Sequence, residues 1–399
     1  MLFKVRREAI NTLAVTVALV LIVTLALYLR LKFVFTIDHP PLKGFSSDAV
    51  NYDLMARQFL DKGFLGYMSS RPNAYITPGY PLFLALIYKL YGYAQGSPLQ
   101  AVRVVQACLG ILTVVLLYLA GREVKNTRVG LVAALLAAIY PTFVWAPTIP
   151  LTEVVYTFFF MLYFYLQLRY LRHPSPLGGV LTGLIFGLAI LVRPAAAPLI
   201  VVPFLYDFYR RKEWRSSLKG FLYTLGGFVA VMLPWWIRNL VTLHQFILLA
   251  TQTWNPLLYG AFPYFTDMDK VPPIQSTQEA LHFILRGFLR NPVLYLKWYT
   301  IGKWQVIFGN MWYGLDLSRY QYLRSVYWVH NFITMVGWLG SFKALKEGRV
   351  GLVAIFIFLL TAIQLMFIPT VRYAFTIMPF LMLTTAWLMD LLFGAEEAA

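Results

Sequence analysis

Residues 79–94 read Gly79-Tyr80-Pro81-Leu82-Phe83-Leu84-Ala85-Leu86-Ile87-Tyr88-Lys89-Leu90-Tyr91-Gly92-Tyr93-Ala94, and the topology of the whole chain turns on whether they cross a membrane. The run is apolar but falls short of the roughly 20 residues a spanning helix needs. Its tyrosines are residues that favour the membrane–water boundary. A second stretch of the same kind, rich in Trp and Tyr, occupies 292–313. Counting only one of the two as a span would invert every later loop. Either the Arg210–Lys219 cluster or the Lys343–Arg349 cluster would then lie on the wrong side. Both stretches are therefore read as interfacial or re-entrant helices.

A membrane is required by composition. The chain has 399 residues, 59% hydrophobic and only 13% charged, against about a quarter charged in ordinary soluble domains. A soluble protein this poor in charge would expose large apolar patches, which excludes a typical soluble enzyme. Candidate spans lie at 11–33, 99–121, 129–147, 152–170, 177–192, 194–208, 220–241, 325–342, 350–368 and 373–393. The first follows Lys4, Arg6 and Arg7 but precedes no small-residue cleavage site, so it reads as a retained span and not a removed signal.

The net charge of +17 orients these ten spans. Basic pI is also a mark of nucleic-acid binding, but here the basic residues sit between apolar runs and not on one polar face. With a cytoplasmic N-terminus, the inner segments are 1–10, 122–128, 169–176, 209–219 and 343–349. They hold Lys4, Arg6, Arg7, Arg122, Lys125, Arg128, Arg169, Arg172, Arg210, Arg211, Lys212, Arg215, Lys219, Lys343, Lys346 and Arg349, sixteen of the 34 basic residues. The positive-inside rule is met at every inner junction. The expectation is an all-α polytopic membrane protein with about 10 transmembrane helices and both termini cytoplasmic. It is a single membrane domain over 1–399, with two outer loops, 36–98 and 242–324, that carry interfacial helices. The single cysteine, Cys108, allows no internal disulfide.

The chemistry gathers on the outer side. The first loop runs Phe45-Ser46-Ser47-Asp48-Ala49-Val50-Asn51-Tyr52-Asp53-Leu54-Met55-Ala56-Arg57-Gln58-Phe59-Leu60. Ser46 or Ser47 caps a helix with Asp48 in its first turn, and Val50, Leu54 and the Arg57/Leu60 positions form one stripe. Read plainly, this is an amphipathic surface helix whose Asp48 suits a helix N-terminus. Read functionally, Asp48 is a carboxylate held at the membrane surface to accept a proton from a substrate hydroxyl. Glu153 starts the fourth span, Arg193 sits between two apolar runs in Leu191-Val192-Arg193-Pro194, and Arg238 ends the seventh span in Pro234-Trp235-Trp236-Ile237-Arg238-Asn239. Singly, each is an interfacial anchor. Together, two arginines and two carboxylates on one face suit an anionic substrate, since guanidinium grips phosphate bidentately. Lys303 and Arg372 are further candidates.

The ordered set Asp48-x-x-x-Tyr52-x-x-x-Ala56, Pro78-Gly79-Tyr80-Pro81, Thr152-Glu153, Arg193-Pro194, Pro234-Trp235-x-x-Arg238-Asn239 and Arg372-Tyr373 resembles the GT-C membrane glycosyltransferases. The nearest branch is similar to the protein O-mannosyltransferases and the lipid A aminoarabinose transferase. Many relatives have a second acid after the loop Asp, where this chain has Ala49.

The resemblance implies an inverting transferase that moves a sugar from a polyprenyl-phosphate donor to a hydroxyl acceptor, which is a glycan, lipid or protein. The reaction would take place at the outer face of a plasma membrane. It implies Asp48 as general base. Arg193, Arg238, Lys303 and Arg372 would bind the donor phosphate, and Glu153, Tyr52 and Tyr80 would orient substrate. The scattered histidines and acids offer no compact cluster of metal-ligand spacing, so a metal-independent reaction without cofactor is expected. The alternative is a transporter or flippase for the polyprenyl-linked sugar, which would place its charges near mid-membrane.

Overall fold

The computed structural model describes residues 2–36, 47–93, 98–312 and 327–393, and all regular structure among them is helical. Ser46 and the tail 394–399 lie outside the described residues, as do the side chains of 2–11. The long helices are α1 (Leu2–Thr36), α4 (Leu99–Val124), α7 (Thr152–Arg172), α8 (Pro176–Val192), α10 (Trp214–Leu243), α15 (Tyr327–Ala344), α16 (Gly348–Met366) and α17 (Met378–Phe393). Between them lie α2 (Ser47–Lys62), α3 (Gly79–Tyr91), α5 (Thr127–Ile139), α6 (Pro141–Trp145), α9 (Val202–Arg211), α11 (Trp254–Tyr259), α12 (Thr277–Arg290), α13 (Pro292–Lys297) and α14 (Lys303–Phe308).

Five stretches are singly long and apolar enough to cross a bilayer: Thr12–Thr36, Leu99–Val124, Thr152–Arg172, Trp214–Leu243 and Gly348–Met366. A sixth is a pair, Thr127–Ile139 with Pro141–Thr148, bent by 64° where Pro141 begins the second half. Pro176–Val192 and Met378–Phe393 are apolar but shorter. The chain is a multi-pass membrane protein. The ten expected spans do not all persist as continuous helices. The stretch 194–208 carries Pro194, Pro198 and Pro203 and breaks into a 3-10 helix, Pro194–Val201, followed by α9. Each proline removes a backbone donor, so an unbroken α-helix cannot form there. The start of the expected last span is likewise a 3-10 turn, Val371–Thr376.

Neither 79–94 nor 292–313 is one long helix. α3 has 13 residues, about 20 Å at 1.5 Å per residue. The second stretch is divided into α13, a π-helical turn at Trp298–Gly302 and α14.

The helices pack through small residues and rings. Gly183 of α8 lies so close to α10 that an added Cβ would fall on the Thr224 carbonyl, the close backbone approach typical of membrane helix pairs. In the centre, Phe164 of α7 meets Phe380 of α17 edge-on at 4.9 Å between ring centres, and Phe356 of α16 stacks on Phe380 at 5.7 Å. Outward, Leu13, Leu21, Leu222, Leu233, Leu339 and Phe342 are exposed, a surface suited to lipid and not to water.

The two ends of α7 differ in kind. Arg172, in its last turn, pairs with Glu123 of α4 at 3.1 Å, and Arg349 of α16 reaches the same carboxylate at 3.6 Å. Arg211 of α9 donates to the Leu171 carbonyl beside them. Expected inner junctions thus meet at one end of the bundle. Glu153, in the first turn of α7, stands about 30 Å away along the helix.

Candidate active site

Asp48 and Glu153 occupy the first turns of α2 and α7, where the helix dipole favours negative charge. Arg193 caps the C-terminus of α8, the end that favours a cation. Arg372 sits in the 3-10 turn before α17. The fold joins the four into one alternating chain of charge. Asp48 Oδ2 lies 3.1 Å from Arg372 Nη2. Arg372 Nε lies 2.9 Å from Glu153 Oε1, and that same oxygen accepts from Arg193 Nη1 at 2.7 Å.

The two acids are not equivalent. The Asp48 side chain is 34% exposed and that of Glu153 only 1%, so Asp48 is the acid a substrate can reach. Its Oδ1 accepts a hydrogen bond from the Tyr67 hydroxyl at 2.9 Å. Burial and then the charge of Asp48 push the Tyr67 hydroxyl well above the ordinary tyrosine range, so it stays protonated and donates. Burial alone would lower the Arg372 pKa, but Glu153 and then Asp48 outweigh it and raise it. Arg372 therefore keeps its charge.

These groups border a cavity of about 440 Å³. Asp48, Tyr52, Tyr67, Tyr80, Arg193 and Arg372 line it, together with Gln252, Thr253 and Asn255 from the segment after α10 and Gln364 from α16. Tyr52 sits edge-on to Tyr80, with ring centres 5.2 Å apart, and 5.8 Å from Tyr67. Burial, then Asp48, raises the Tyr52 pKa. Tyr80 donates to Gln106 Oε1 at 3.0 Å, and Gln106 donates in turn to the carbonyls of Pro147 and Ile149. That relay ties α3 to the bend that delivers Glu153. Gly79 does the same for Arg193. An added Cβ at Gly79 would lie 2.5 Å from the Leu191 carbonyl carbon and oxygen, so only glycine lets α3 abut the end of α8.

Two expected phosphate ligands are occupied elsewhere. Arg238 is not in the cavity lining: it donates to the carbonyls of Asn73 and Leu65, each at 2.9 Å. Its neighbours do similar work. Trp235 donates to the Leu249 carbonyl and Trp236 to that of Leu248, each at 2.9 Å. The Pro-Trp-Trp-x-Arg-Asn motif is a bracket that holds the segments around Leu65–Asn73 and Leu248–Leu249 to the end of α10, and Tyr67 lies within the segment Arg238 clamps. Lys303 is fully buried, donates to the Leu365 carbonyl at 2.8 Å and lies 3.5 Å from the centre of the Tyr299 ring. Burial pushes its pKa down to about 7.

On α2, the expected stripe is displaced. Leu54 is exposed, and the buried residues are Ala49, Asp53, Met55 and Ala56. Small alanines admit α3 closely, and Asp53 is drawn inward by the Tyr88 hydroxyl at 2.6 Å and by Arg57 at 3.0 Å. Asp53 therefore serves the α2–α3 contact. His330 is held between the Tyr140 hydroxyl and the Phe308 carbonyl. Among the described residues, no three His, Cys, Asp or Glu side chains are grouped to hold a metal ion.

Comparison with known proteins supports the resemblance. Residues 71–237 match the family described as dolichyl-phosphate-mannose-protein mannosyltransferase. The archaeal oligosaccharyltransferase AglB from Archaeoglobus fulgidus, solved with an inhibitory peptide and a dolichol-phosphate, aligns over 98% of this chain and 52% of its own, with TM-score 0.60 and 14% identity. The apo form of the Archaeoglobus fulgidus oligosaccharyltransferase aligns over 95% and 51%, with TM-score 0.56 and 14% identity. ArnT from Cupriavidus metallidurans, bound to undecaprenyl phosphate, aligns over 95% and 60%, with TM-score 0.52 and 16% identity. No curated protein matches the chain. The chain spans about half to three-fifths of the length of these solved structures. At such identities the likeness is one of fold, and the fold is that of the GT-C membrane glycosyltransferases.

Proposed function

We propose that the chain is a glycosyltransferase that takes a sugar from a polyprenyl-phosphate donor and attaches it, with inversion, to an acceptor hydroxyl at the outer face of the membrane. The observation that carries this reading is the position of Asp48, an accessible carboxylate at a cavity that also presents Arg193 and Arg372. AglB and ArnT were solved with dolichol-phosphate and undecaprenyl phosphate respectively, which supports a lipid phosphate as the ligand.

Asp48 acts as general base. A carboxylate has about four lone-pair sites, and Tyr67 and Arg372 engage one on each oxygen. An acceptor hydroxyl gives its proton to a remaining site as its oxygen forms a bond to the anomeric carbon. The bond from that carbon to the phosphate oxygen breaks, and its electron pair leaves with the polyprenyl phosphate. Attack from the face opposite the leaving group inverts the anomeric centre.

Arg193 and Arg372 stabilise the departing phosphate. A guanidinium has five N–H donors, and the ion chain engages one nitrogen of Arg193 and two of Arg372. Glu153, shared between them, sets their spacing, and Tyr52 and Tyr80 shape the wall beside Asp48. The two guanidiniums supply the cationic charge, so the reaction is proposed to run without metal or other cofactor.

The test is to incubate the purified protein in liposomes with polyprenyl-phosphate sugars and a panel of acceptors, with and without EDTA. Time-dependent release of polyprenyl phosphate with transfer of the sugar is expected in both conditions. Movement of intact lipid-linked sugar between leaflets without release would make the protein a transporter instead. Loss of activity in EDTA, restored by a divalent ion, would overturn the metal-free route.

A further inference from the structure

We propose that Gln252, Asn255 and Gln364 read the sugar of the donor, and that this sugar carries no charge. The inference rests on the transferase reading above and adds the class of sugar. These three are the amide side chains that line the cavity. None of the three amides has a hydrogen-bond partner among the described residues. Other amides at this end of the bundle are engaged. Asn73 bonds to the backbone of Tyr67, Gln106 to Pro147, Ile149 and Tyr80, and Asn239 to Arg238. Gln364 is only 7% exposed as a residue, yet its amide atoms are not sealed off, and the residue lines the cavity, where a ligand can reach it. Three idle amides around one cavity therefore mark a polar ligand.

An amide presents both donors and an acceptor, which complements hydroxyl groups that also do both. The charged groups of the cavity, by contrast, are committed on the reading above, the open donors of Arg193 and Arg372 to the phosphate and the open sites of Asp48 to the acceptor hydroxyl. An amino sugar would need a free carboxylate and a uronic acid a free cation. A neutral, polyhydroxylated sugar needs neither. The amides are also held in place. The Gln252 N–H donates to the Tyr75 carbonyl at 3.1 Å, and the Asn255 N–H to the Gln252 carbonyl at 3.0 Å. The Ile368 N–H donates to the Pro256 carbonyl at 2.7 Å and fixes this wall against the turn that leads to Arg372. The wall and the turn that carries the phosphate-binding arginine are thus tied together.

The experiment compares lipids that differ only in the sugar. Binding of undecaprenyl phosphate, and of undecaprenyl phosphate carrying glucose, galactose, mannose or 4-amino-arabinose, is measured on the full chain in nanodiscs. The wild type should bind at least one hexose-bearing lipid more tightly than the sugar-free lipid. Gln252→Ala, Asn255→Ala and Gln364→Ala should each lose about tenfold of that gain, as expected for one neutral hydrogen bond, with sugar-free binding unchanged. Equal losses on both lipids, or none, would overturn the proposal. So would a wild type that binds undecaprenyl phosphate but gains nothing from any hexose. A wild type that binds none of the lipids would overturn the transferase reading itself, and this proposal with it. The isosteric Gln252→Glu gives an independent check. It should shift preference by about tenfold toward the amino sugar, and an unchanged preference overturns the proposal.

Discussion

Arg372 Nη2 rests 3.1 Å from Asp48 Oδ2, across 324 residues of chain. The contact joins the turn before the last helix to the first turn of α2, so the proposed base is held from the far end of the sequence.

Asp48→Asn keeps the shape of the side chain and the Tyr67 contact but removes the base. Turnover should fall by about 10²- to 10⁴-fold, with binding of undecaprenyl phosphate retained. Near-normal kcat in a folded variant would remove Asp48 from the mechanism.

Glu153 holds two arginines on one oxygen while almost fully buried. Glu153→Ala leaves both guanidiniums short of a partner, and breaking a buried pair costs about 3–5 kcal/mol. A large drop in melting temperature is expected, with a smaller one for Glu153→Gln. An Ala variant as stable as wild type would show that the ion chain does not hold the site together.

Arg193 and Arg238 should part company in kinetics. Arg193→Ala removes a cavity cation and should weaken lipid-phosphate binding. Arg238→Ala frees the Leu65 and Asn73 carbonyls that frame Tyr67. It should lower melting temperature and kcat while leaving undecaprenyl phosphate affinity near wild type. Equal losses of affinity in the two variants would return Arg238 to the phosphate site.

Gly79→Ala drives a methyl group into the Leu191 backbone. Overpacking of this kind costs about 1–3 kcal/mol. Because Arg193 follows two residues later, the variant should also bind lipid phosphate less well. Unchanged binding in a destabilised variant would show that the α3–α8 contact is purely structural.

Lys303 gives a pH dependence with a definite sign. Burial pushes it down to about 7, whereas an unfolded lysine titrates near about 10.4. Between these values the unfolded chain holds the extra proton, so stability rises with pH. Melting temperature in detergent should climb from about pH 7 to about pH 9.5, before unfolded tyrosines begin to titrate. Lys303→Met should flatten the climb, and an identical slope in the variant would rule Lys303 out as its source.

Glu153, Arg193 and Arg372 were legible because each ends or begins an apolar run, and run ends declare depth, whereas Asp48 was legible as the acid in the first turn of an amphipathic loop helix. Depth brings groups to one layer but does not aim them. Arg238 lies at the same kind of run end, yet its side chain turns to loop carbonyls that no local pattern announces. Lys303 is placed by the π-helical turn that ends beside it at Gly302 and by the end of α16, which lies 62 residues on in the chain. Tyr67, Gln252, Asn255 and Gln364 had no local signal at all. Gln252 and Asn255 reach the cavity where the N–H groups of Thr251 and Gln252 donate to the carbonyls of Ala74 and Tyr75, and Gln364 reaches it from α16. Such loop-to-loop pairing has no period and no charge rule to betray it. The prolines of 194–208 were visible, but an apolar run reads as a span until each missing donor is counted.

One more consequence belongs to α7. The arginine collar at Arg172 and the acid at Glu153 are the two ends of a single rod. A rod of fixed length turns bilayer thickness into a gauge of catalytic depth. Should the collar sit among headgroups, thicker lipid would sink Asp48 beneath the opposite phosphate plane, and thinner lipid would lift it clear. The bundle answers such mismatch by tilting or by deforming the lipid around it. On the proposed transferase reading, the acyl length of the host membrane would throttle turnover without altering a single residue.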